Sequence, residues 1–206
     1  MRRILPVIYL GLVLMGLSSF QTIAADVANN GQKKQKSPEP LEQGIKVGAQ
    51  IPVEINLPDQ SGLPKSLADI TGPKGVILLF NRSSDWCRYC IAQMKRWNEQ
   101  IARFEDLGYN IAALTYDDIT QQRKFAMKHN IKYPVLSDQG STVIQSFGLL
   151  NEKYPKDSHY YGIPHPAIYV IDPSGKITHR FAYANYQERP SPDIVLSELS
   201  EDQDSE

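Results

Sequence analysis

The only two cysteines of the chain, Cys87 and Cys90, lie three residues apart in the segment Cys-Arg-Tyr-Cys. A disulfide between them closes a very short loop, so it contributes little stability through chain entropy. A cysteine thiolate is a nucleophile, and a second thiol nearby can attack a mixed disulfide formed on the first. The spacing therefore indicates redox chemistry, with Cys87 as the nucleophile and Cys90 as the resolving thiol.

A metal site is an alternative use of the same two sulfurs. Structural zinc needs four ligands, but the chain has no second cysteine pair. Its four histidines show no ligand spacing: His129, His159, His165 and His179. The sequence predicts no resident metal or cofactor, although a copper-binding metallochaperone that uses both thiols and one distant histidine stays open.

The residues before and after the cysteines predict the elements that position them. The apolar run at 76–80 is typical of a strand that is buried on both faces. From Cys87 to about Leu107, apolar residues recur every three or four positions, which predicts a helix. Cys87 then lies at the first turn, where unpaired N–H groups and the helix dipole stabilise an anion. Arg82 and Arg88 add positive charge nearby.

The remaining pattern alternates strands and helices. Strands are predicted at 109–114 and 133–136, and helices at 119–129, 141–147 and 192–199; Asp117 and Asp118 are predicted to cap the helix at 119–129. A strand hairpin is predicted at 167–171 and 177–181, and an additional N-terminal hairpin at 53–57 and 66–67. Residues 151–162 fit no element and are interpreted as a long loop, where binding surfaces often lie. This order predicts an α/β fold in which a mixed central sheet carries helices on both faces.

The two ends of the chain differ in composition from the middle. Residues 1–25 combine a basic start, an apolar run and a small-residue end, as secretory signal peptides do, so a secreted or periplasmic protein is expected; an uncleaved anchor is the alternative. Residues 26–46 are interpreted as a flexible linker, 47–199 as the domain and 200–206 as an acidic disordered tail. A net charge of −1 argues against nucleic-acid binding through bulk charge, and no second apolar stretch is long enough for stable membrane insertion.

The segment at 80–90, Phe-Asn-Arg-Ser-Ser-Asp-Trp-Cys-Arg-Tyr-Cys, resembles the strand-to-active-site turn of the thioredoxin superfamily. Together with the segments at 133–138, 147–149 and 170–175, it is most similar to the peroxiredoxin-like AhpC/TSA (redoxin) family. The resemblance extends over about 47–186. It implies a thioredoxin-like fold and an exported thiol-dependent redox enzyme, with antioxidant or thiol–disulfide oxidoreductase activity.

The chain departs from the peroxiredoxin pattern at two positions that matter for peroxide chemistry. Peroxiredoxins carry Pro-x-x-x-Thr/Ser-x-x-Cys, and here Ser84 occupies the Thr/Ser position while Phe80 replaces the proline. The arginine that those enzymes place six residues before the hairpin aspartate is replaced by Pro166. Both departures favour disulfide reduction over hydroperoxide reduction, which stays an alternative.

Two further expectations come from the resemblance to thioredoxins, and a third comes from the position of Trp86 directly before Cys87. His165-Pro166 looks like their cis-proline segment, with Pro164 as the competing candidate, and His165 either stabilises the thiolate or caps a loop. Asn81 replaces the buried aspartate that accepts a proton from the second cysteine. Trp86 either forms an apolar wall beside Cys87 or packs the loop.

These features lead to three hypotheses about function. The first is a dithiol oxidoreductase that acts on a disulfide-containing protein or a small hydroperoxide and receives electrons from a separate thiol donor. The second is the copper metallochaperone. The third is a non-catalytic binding domain on a redox scaffold.

Overall fold

The computed structural model describes residues 37–204, so the predicted signal peptide lies outside the described residues. The described part of the predicted linker, 37–46, differs from a flexible tether. Leu41 is buried and its N–H donates to the carbonyl of Ala182, while Arg180 donates to the carbonyls of Leu41 and Gln43. Burial of one apolar side chain and these bonds hold the segment against the domain. In residues 37–204 no helix has the length and apolar character needed to cross a bilayer.

An antiparallel hairpin precedes the main sheet, as predicted. It pairs β1 (Asn56–Pro58) with β2 (Pro64–Ser66). A short helix, α1 (Leu67–Ile70), follows directly, because the Ser66 and Asp69 side chains form a reciprocal capping box at its start.

The main sheet has five strands and mixed pairing. These are β3 (Gly75–Phe80), β4 (Tyr109–Thr115), β5 (Val135–Ser137), β6 (Ala167–Ile171) and β7 (Ile177–Phe181), in the spatial order β5-β4-β3-β6-β7. The pairs β3–β4 and β4–β5 are parallel, and β6 is antiparallel to both β3 and β7. This topology confirms the predicted mixed sheet and the hairpin at its edge.

Helices cover both faces of this sheet, which confirms the predicted architecture. They are α2 (Arg88–Asn98), α3 (Ile101–Asp106), α4 (Ile119–His129), α5 (Thr142–Ser146) and α6 (Pro192–Asp204). All six residues of β3 are buried, and they alternate between two cores. Ile77 and Leu79 pack with α2, α3, α4 and α6, whereas Val76, Leu78 and Phe80 pack with α1 and α5. The central strand is therefore rigidly held on both sides, and the active-site turn begins where it ends.

Two helices differ from their predicted bounds. The predicted helix at 87–107 is divided at Glu99 and Gln100, next to the point where Asn98 hydrogen-bonds the backbone of Asn130 and Lys132. Its apolar stripe survives the break, because the rings of Trp97 and Phe104 stack 4.9 Å apart. The final helix continues to Asp204, so residues 200–204 are helical where a disordered tail was expected.

Candidate active site

Cys87 and Cys90 lie at the N-terminus of α2 and are joined by a disulfide, with their Cα atoms 5.3 Å apart. Cys87 is the N-cap residue, and its sulfur accepts the N–H of Cys90 at 3.3 Å. Cys87 is 4% exposed, whereas Cys90 is fully buried. The geometry therefore gives the outer position to Cys87, at the end of the helix where N–H groups and the dipole stabilise a thiolate.

A buried carboxylate, Asp117, holds the loop that precedes Cys87. Its oxygens accept the hydroxyl of Ser83 at 2.8 Å, the hydroxyl and N–H of Ser84 at 2.7 and 2.5 Å, and the hydroxyl of Thr115 at 2.9 Å. The Ser83 hydroxyl oxygen in turn accepts the N–H groups of the next residues, Asp85 and Trp86. This network therefore fixes the approach to the nucleophile.

Asp117 does not cap α4, so the predicted capping role of this residue is wrong. Asp118 alone is the N-cap of α4, in a capping box with Gln121. Asp117 is 3% exposed, and burial raises the pKa of its carboxyl group, while the hydrogen bonds from Ser84, Ser83 and Thr115 oppose that rise. The role of Asp117 follows from the sheet topology. Because β3 and β4 are parallel neighbours, with Phe80 opposite Leu114, the residues that follow the two strands meet at one edge of the sheet.

Ser84 takes part in this network rather than standing free beside the sulfurs. Its hydroxyl donates to Asp117, so its proton is committed to the carboxylate. Asn81 is fully buried and donates to the carbonyl of Leu79, while its side-chain oxygen has no hydrogen-bond partner in the described part of the chain. Neither residue gives Cys90 a carboxylate that can accept its proton.

Arg82 lies between two aromatic rings at the mouth of the site. Its guanidinium is 5.1 Å from the centre of the Trp86 ring and 4.3 Å from that of Tyr186, and it donates to the hydroxyl of Tyr154 at 3.0 Å. Trp86 is 39% exposed, and its ring stands edge-on to that of Tyr160. Since Tyr154 and Tyr160 belong to the segment 151–162, the predicted binding loop does reach the active-site turn. Trp86 both packs this loop and presents apolar surface.

Arg88 is exposed and donates to the hydroxyl of its neighbour Tyr89 at 2.7 Å. A different arginine, Arg189 in the segment after β7, reaches the buried sulfur: its guanidinium lies 3.7 Å from the Cys90 sulfur. Arg189 was not predicted from the sequence, because 99 residues separate it from Cys90 and no motif surrounds it.

The proline segment differs from the expected geometry. No described peptide bond is cis, so the expectation of a cis bond before Pro164 or Pro166 is not met. Pro164 forms an isolated antiparallel bridge with Leu150, and the backbone N–H of His165 donates to the carbonyl of Leu149. These bonds align the segment as an extended strand entering β6, which suits trans backbone.

His165 is half-buried, and its surroundings favour the neutral imidazole. Burial, and then the positive charge of Arg82, lower the pKa of His165, with Glu152 opposing them. A neutral imidazole offers a thiolate no full positive charge. The lowered pKa therefore weighs against the thiolate-stabilising interpretation of His165, and its role as a loop cap stays a prediction.

Metal ligands are sparse around the cysteines. Among residues 37–204 no group of three or more His, Cys, Asp and Glu side chains is arranged to hold an ion. The copper hypothesis therefore gains no third ligand from the described part of the chain.

Comparisons with known proteins give matches to a thiol-disulfide oxidoreductase and to peroxiredoxins. The model of the AhpC/TSA family matches residues 47–180. The chain is 28% identical to the thiol-disulfide oxidoreductase ResA of Bacillus cereus over 137 residues, which cover 66% of this chain and 69% of ResA. It is 27% identical to the peroxiredoxin Bcp of Escherichia coli over 157 residues, which cover 76% of this chain and 97% of Bcp.

Solved structures share the fold. The crystal structure of peroxidoxin BcpB from Mycobacterium tuberculosis superimposes with a TM-score of 0.67 at 23% identity, covering 76% of this chain and 97% of BcpB. A peroxiredoxin-like protein from Aquifex aeolicus gives a TM-score of 0.63 at 24% identity, covering 80% and 91% of the two chains.

Proposed function

Since the chain belongs to the AhpC/TSA family and is similar to thiol oxidoreductases, we propose that it is an exported enzyme that reduces disulfide bonds with the Cys87–Cys90 dithiol. The observation that carries the proposal is the placement of the pair. Cys87 caps α2 with its sulfur against a backbone N–H, and Cys90 lies one turn further in, already within bonding reach.

The reaction requires two exchanges of sulfur bonds. The Cys87 thiolate attacks one sulfur of a substrate disulfide; a Cys87–substrate disulfide forms, and the other substrate sulfur leaves as a thiolate. The Cys90 thiolate then attacks the Cys87 sulfur, so the Cys87–Cys90 disulfide forms and the second substrate sulfur is released. The substrate gains two electrons and the enzyme loses two, and a separate dithiol donor restores the reduced enzyme.

Hydroperoxide reduction is the second candidate, favoured by the likeness to a peroxiredoxin along 97% of that relative's length. In that reaction Cys87 becomes a sulfenic acid, which Cys90 condenses to the disulfide with loss of water. Two observations weigh against it. Pro166 replaces the expected arginine, and the Ser84 hydroxyl donates to Asp117 instead of being free for a peroxide.

One assay pair separates the candidates. The protein without residues 1–25 is reduced and then mixed, in parallel, with insulin and with hydrogen peroxide. We expect insulin reduction with multiple turnovers in the presence of a dithiol donor, and peroxide consumption at least about a hundredfold slower. The reverse ranking would make the peroxidase the main activity.

Two serine variants test the assigned roles. Cys87→Ser should abolish turnover, because no nucleophile remains. Cys90→Ser should trap the Cys87–substrate disulfide, which mass spectrometry detects as an adduct on Cys87. Full turnover by Cys87→Ser would contradict the scheme, and stoichiometric copper binding without turnover by the wild type would favour the metallochaperone.

Export is tested separately. The signal-like composition of residues 1–25 supports it. The full-length chain, produced in a bacterium, should be recovered outside the cytoplasm and begin after Ala24 or Ala25. Recovery with an intact N-terminus in the cytoplasmic fraction would contradict export.

A further inference from the structure

The segment after β7 places a guanidinium against the inner sulfur of the dithiol. A terminal nitrogen of Arg189 lies 3.7 Å from the Cys90 sulfur. The side chain is fixed there by the carbonyls of Tyr186 and Glu188, to which its other terminal nitrogen donates. Its remaining nitrogen, Nε, is buried without a hydrogen-bond partner among the described residues. The side chain is thus held by its own loop and directed at sulfur.

The positive charge of Arg189 is not neutralised by a carboxylate. In residues 37–204 no Asp or Glu forms an ion pair with it. Arg82 and Tyr186 lie near it, and Tyr89 and Arg96 line the same cavity of about 230 Å³. The carboxylate of the preceding residue, Glu188, accepts a hydrogen bond from Asn185 instead. Burial, and then the like charge of Arg82, lower the pKa of Arg189 to about 10, so the group is still charged at neutral pH. A partly buried cation without a counter-charge destabilises the fold. A thiolate on Cys90, whose sulfur is the side-chain acceptor nearest to the guanidinium, would reduce that cost.

We propose that Arg189 is a catalytic residue that keeps Cys90 as a thiolate in the reduced enzyme. The inference rests on the proposed function, in which Cys90 resolves the mixed disulfide. In the resolving step the Cys90 thiolate uses its electron pair to bond the Cys87 sulfur, the Cys87–substrate bond breaks, and the substrate thiolate leaves and takes a proton from water. No base has to remove a proton from Cys90 at that moment, because the guanidinium has already favoured its loss.

This role explains how Cys90 reacts without a carboxylate base. Cys90 is fully buried, and burial alone raises the pKa of a thiol. The described hydrogen bonds at Cys90 give its sulfur Arg189 and no carboxylate. Asn81, at the end of the neighbouring strand, has no group that accepts and releases a proton. Arg189 lowers the pKa of the Cys90 thiol instead of accepting its proton.

The test measures the pKa of Cys90 in isolation. Cys87→Ser leaves Cys90 as the only thiol, and the ultraviolet absorbance of its thiolate is followed against pH. A cation within about 4–6 Å shifts a pKa by about one to three units, so Arg189→Met should raise the pKa of Cys90 by at least about one unit. Arg189→Lys keeps the charge and should recover at least half of that shift. Arg96→Met removes a nearby exposed arginine on α2 and should leave the pKa of Cys90 unchanged.

The outcomes separate this proposal from the function on which it rests. An unchanged pKa of Cys90 in folded Arg189→Met overturns the role of Arg189, whatever the activity. If Arg189→Met does not fold, Arg189→Gln replaces it in the comparison with Arg189→Lys, and equal values for Gln and Lys overturn the proposal. A pKa that follows the charge at position 189, in a wild type that reduces no disulfide, would refute the function and leave the electrostatic role standing.

Discussion

Replacing Asp117 by asparagine tests whether the buried carboxylate organises the active-site turn. Asparagine keeps the volume and one acceptor oxygen. The three bonds to Oδ2, from Ser84 (two) and Thr115, lose charge assistance of about 1 kcal/mol each. The bond from Ser83 to the other oxygen is lost, at about 1 kcal/mol. Burying a neutral asparagine costs less than burying a carboxylate, and the burial that raises the pKa of Asp117 is the same effect. This difference stabilises the variant by about 1–2 kcal/mol. The expected net loss of unfolding free energy is about 2–3 kcal/mol.

The assay compares thermal melting and disulfide reduction at neutral pH. For a domain of this size, the loss corresponds to a Tm about 4–12 °C lower. Turnover should fall about tenfold or more, because the loosened 83–86 loop misplaces Cys87. Asp118→Asn is the matched control: it makes the same chemical change one residue away, and asparagine caps a helix as well as aspartate does. If Asp117→Asn melts within about 2 °C of this control and keeps its rate, the network does not organise the site.

Three further substitutions have defined outcomes. Gly75→Ala places a Cβ against the Ile171 carbonyl at a φ of +148°. It should lower the free energy of unfolding by at least about 2 kcal/mol, measured by urea denaturation. Gly48→Ala, which has open space around it, is the control and should lower the free energy of unfolding by less. The lowered pKa of His165 makes the folded wild type bind fewer protons than its unfolded chain, so the wild type loses stability as pH falls below 6.5. His165→Asn lacks this loss, so its urea midpoint relative to that of the wild type should rise from pH 7 to pH 5. Trp86→Ala removes exposed apolar surface beside Cys87 and should raise the KM for insulin about fivefold with the pKa values of both thiols unchanged.

The fold could be predicted because its signals are local. The apolar run at 76–80 has no polar break, which is typical of a strand buried on both faces, and the apolar stripe that follows it repeats at helical spacing. Cys87 lies between these two elements, which places it at a helix N-terminus without any tertiary information. The division of the helix at Glu99 was not predictable in this way, because the hydrogen bonds of Asn98 that flank it go to residues about thirty positions later.

The supporting residues of the site depend on contacts between distant segments. Asp117 and Asp118 are equivalent as capping residues by type and position, and only the parallel pairing of β3 with β4 makes one of them the anchor of the Ser83–Ser84 turn. Arg189 lies in a segment without periodicity, so its approach to Cys90 follows from how the chain returns after β7. For residues 37–46 the linker prediction was wrong for a related reason: their polar composition gives no sign that Leu41 is buried, with its N–H donating to the carbonyl of Ala182 just after β7.

The buried carboxylate of Asp117 and the guanidinium of Arg189 are kept apart near the dithiol, and this separation matters for the chemistry of Cys90. Asp117 is buried close to the dithiol turn, yet three hydroxyl groups and one backbone N–H satisfy it, and neither Arg82 nor Arg189 pairs with it in the described part of the chain. If a carboxylate paired with the guanidinium of Arg189, the positive potential at the Cys90 sulfur would weaken and the pKa of that thiol would rise. Because serine and threonine hydroxyls carry no charge, the loop is anchored while the guanidinium of Arg189 stays against the Cys90 sulfur. A variant that moved a carboxylate next to Arg189, Gln93→Glu on the inner face of α2, should therefore raise the pKa of Cys90 in the Cys87→Ser background even though every residue of the dithiol turn is intact.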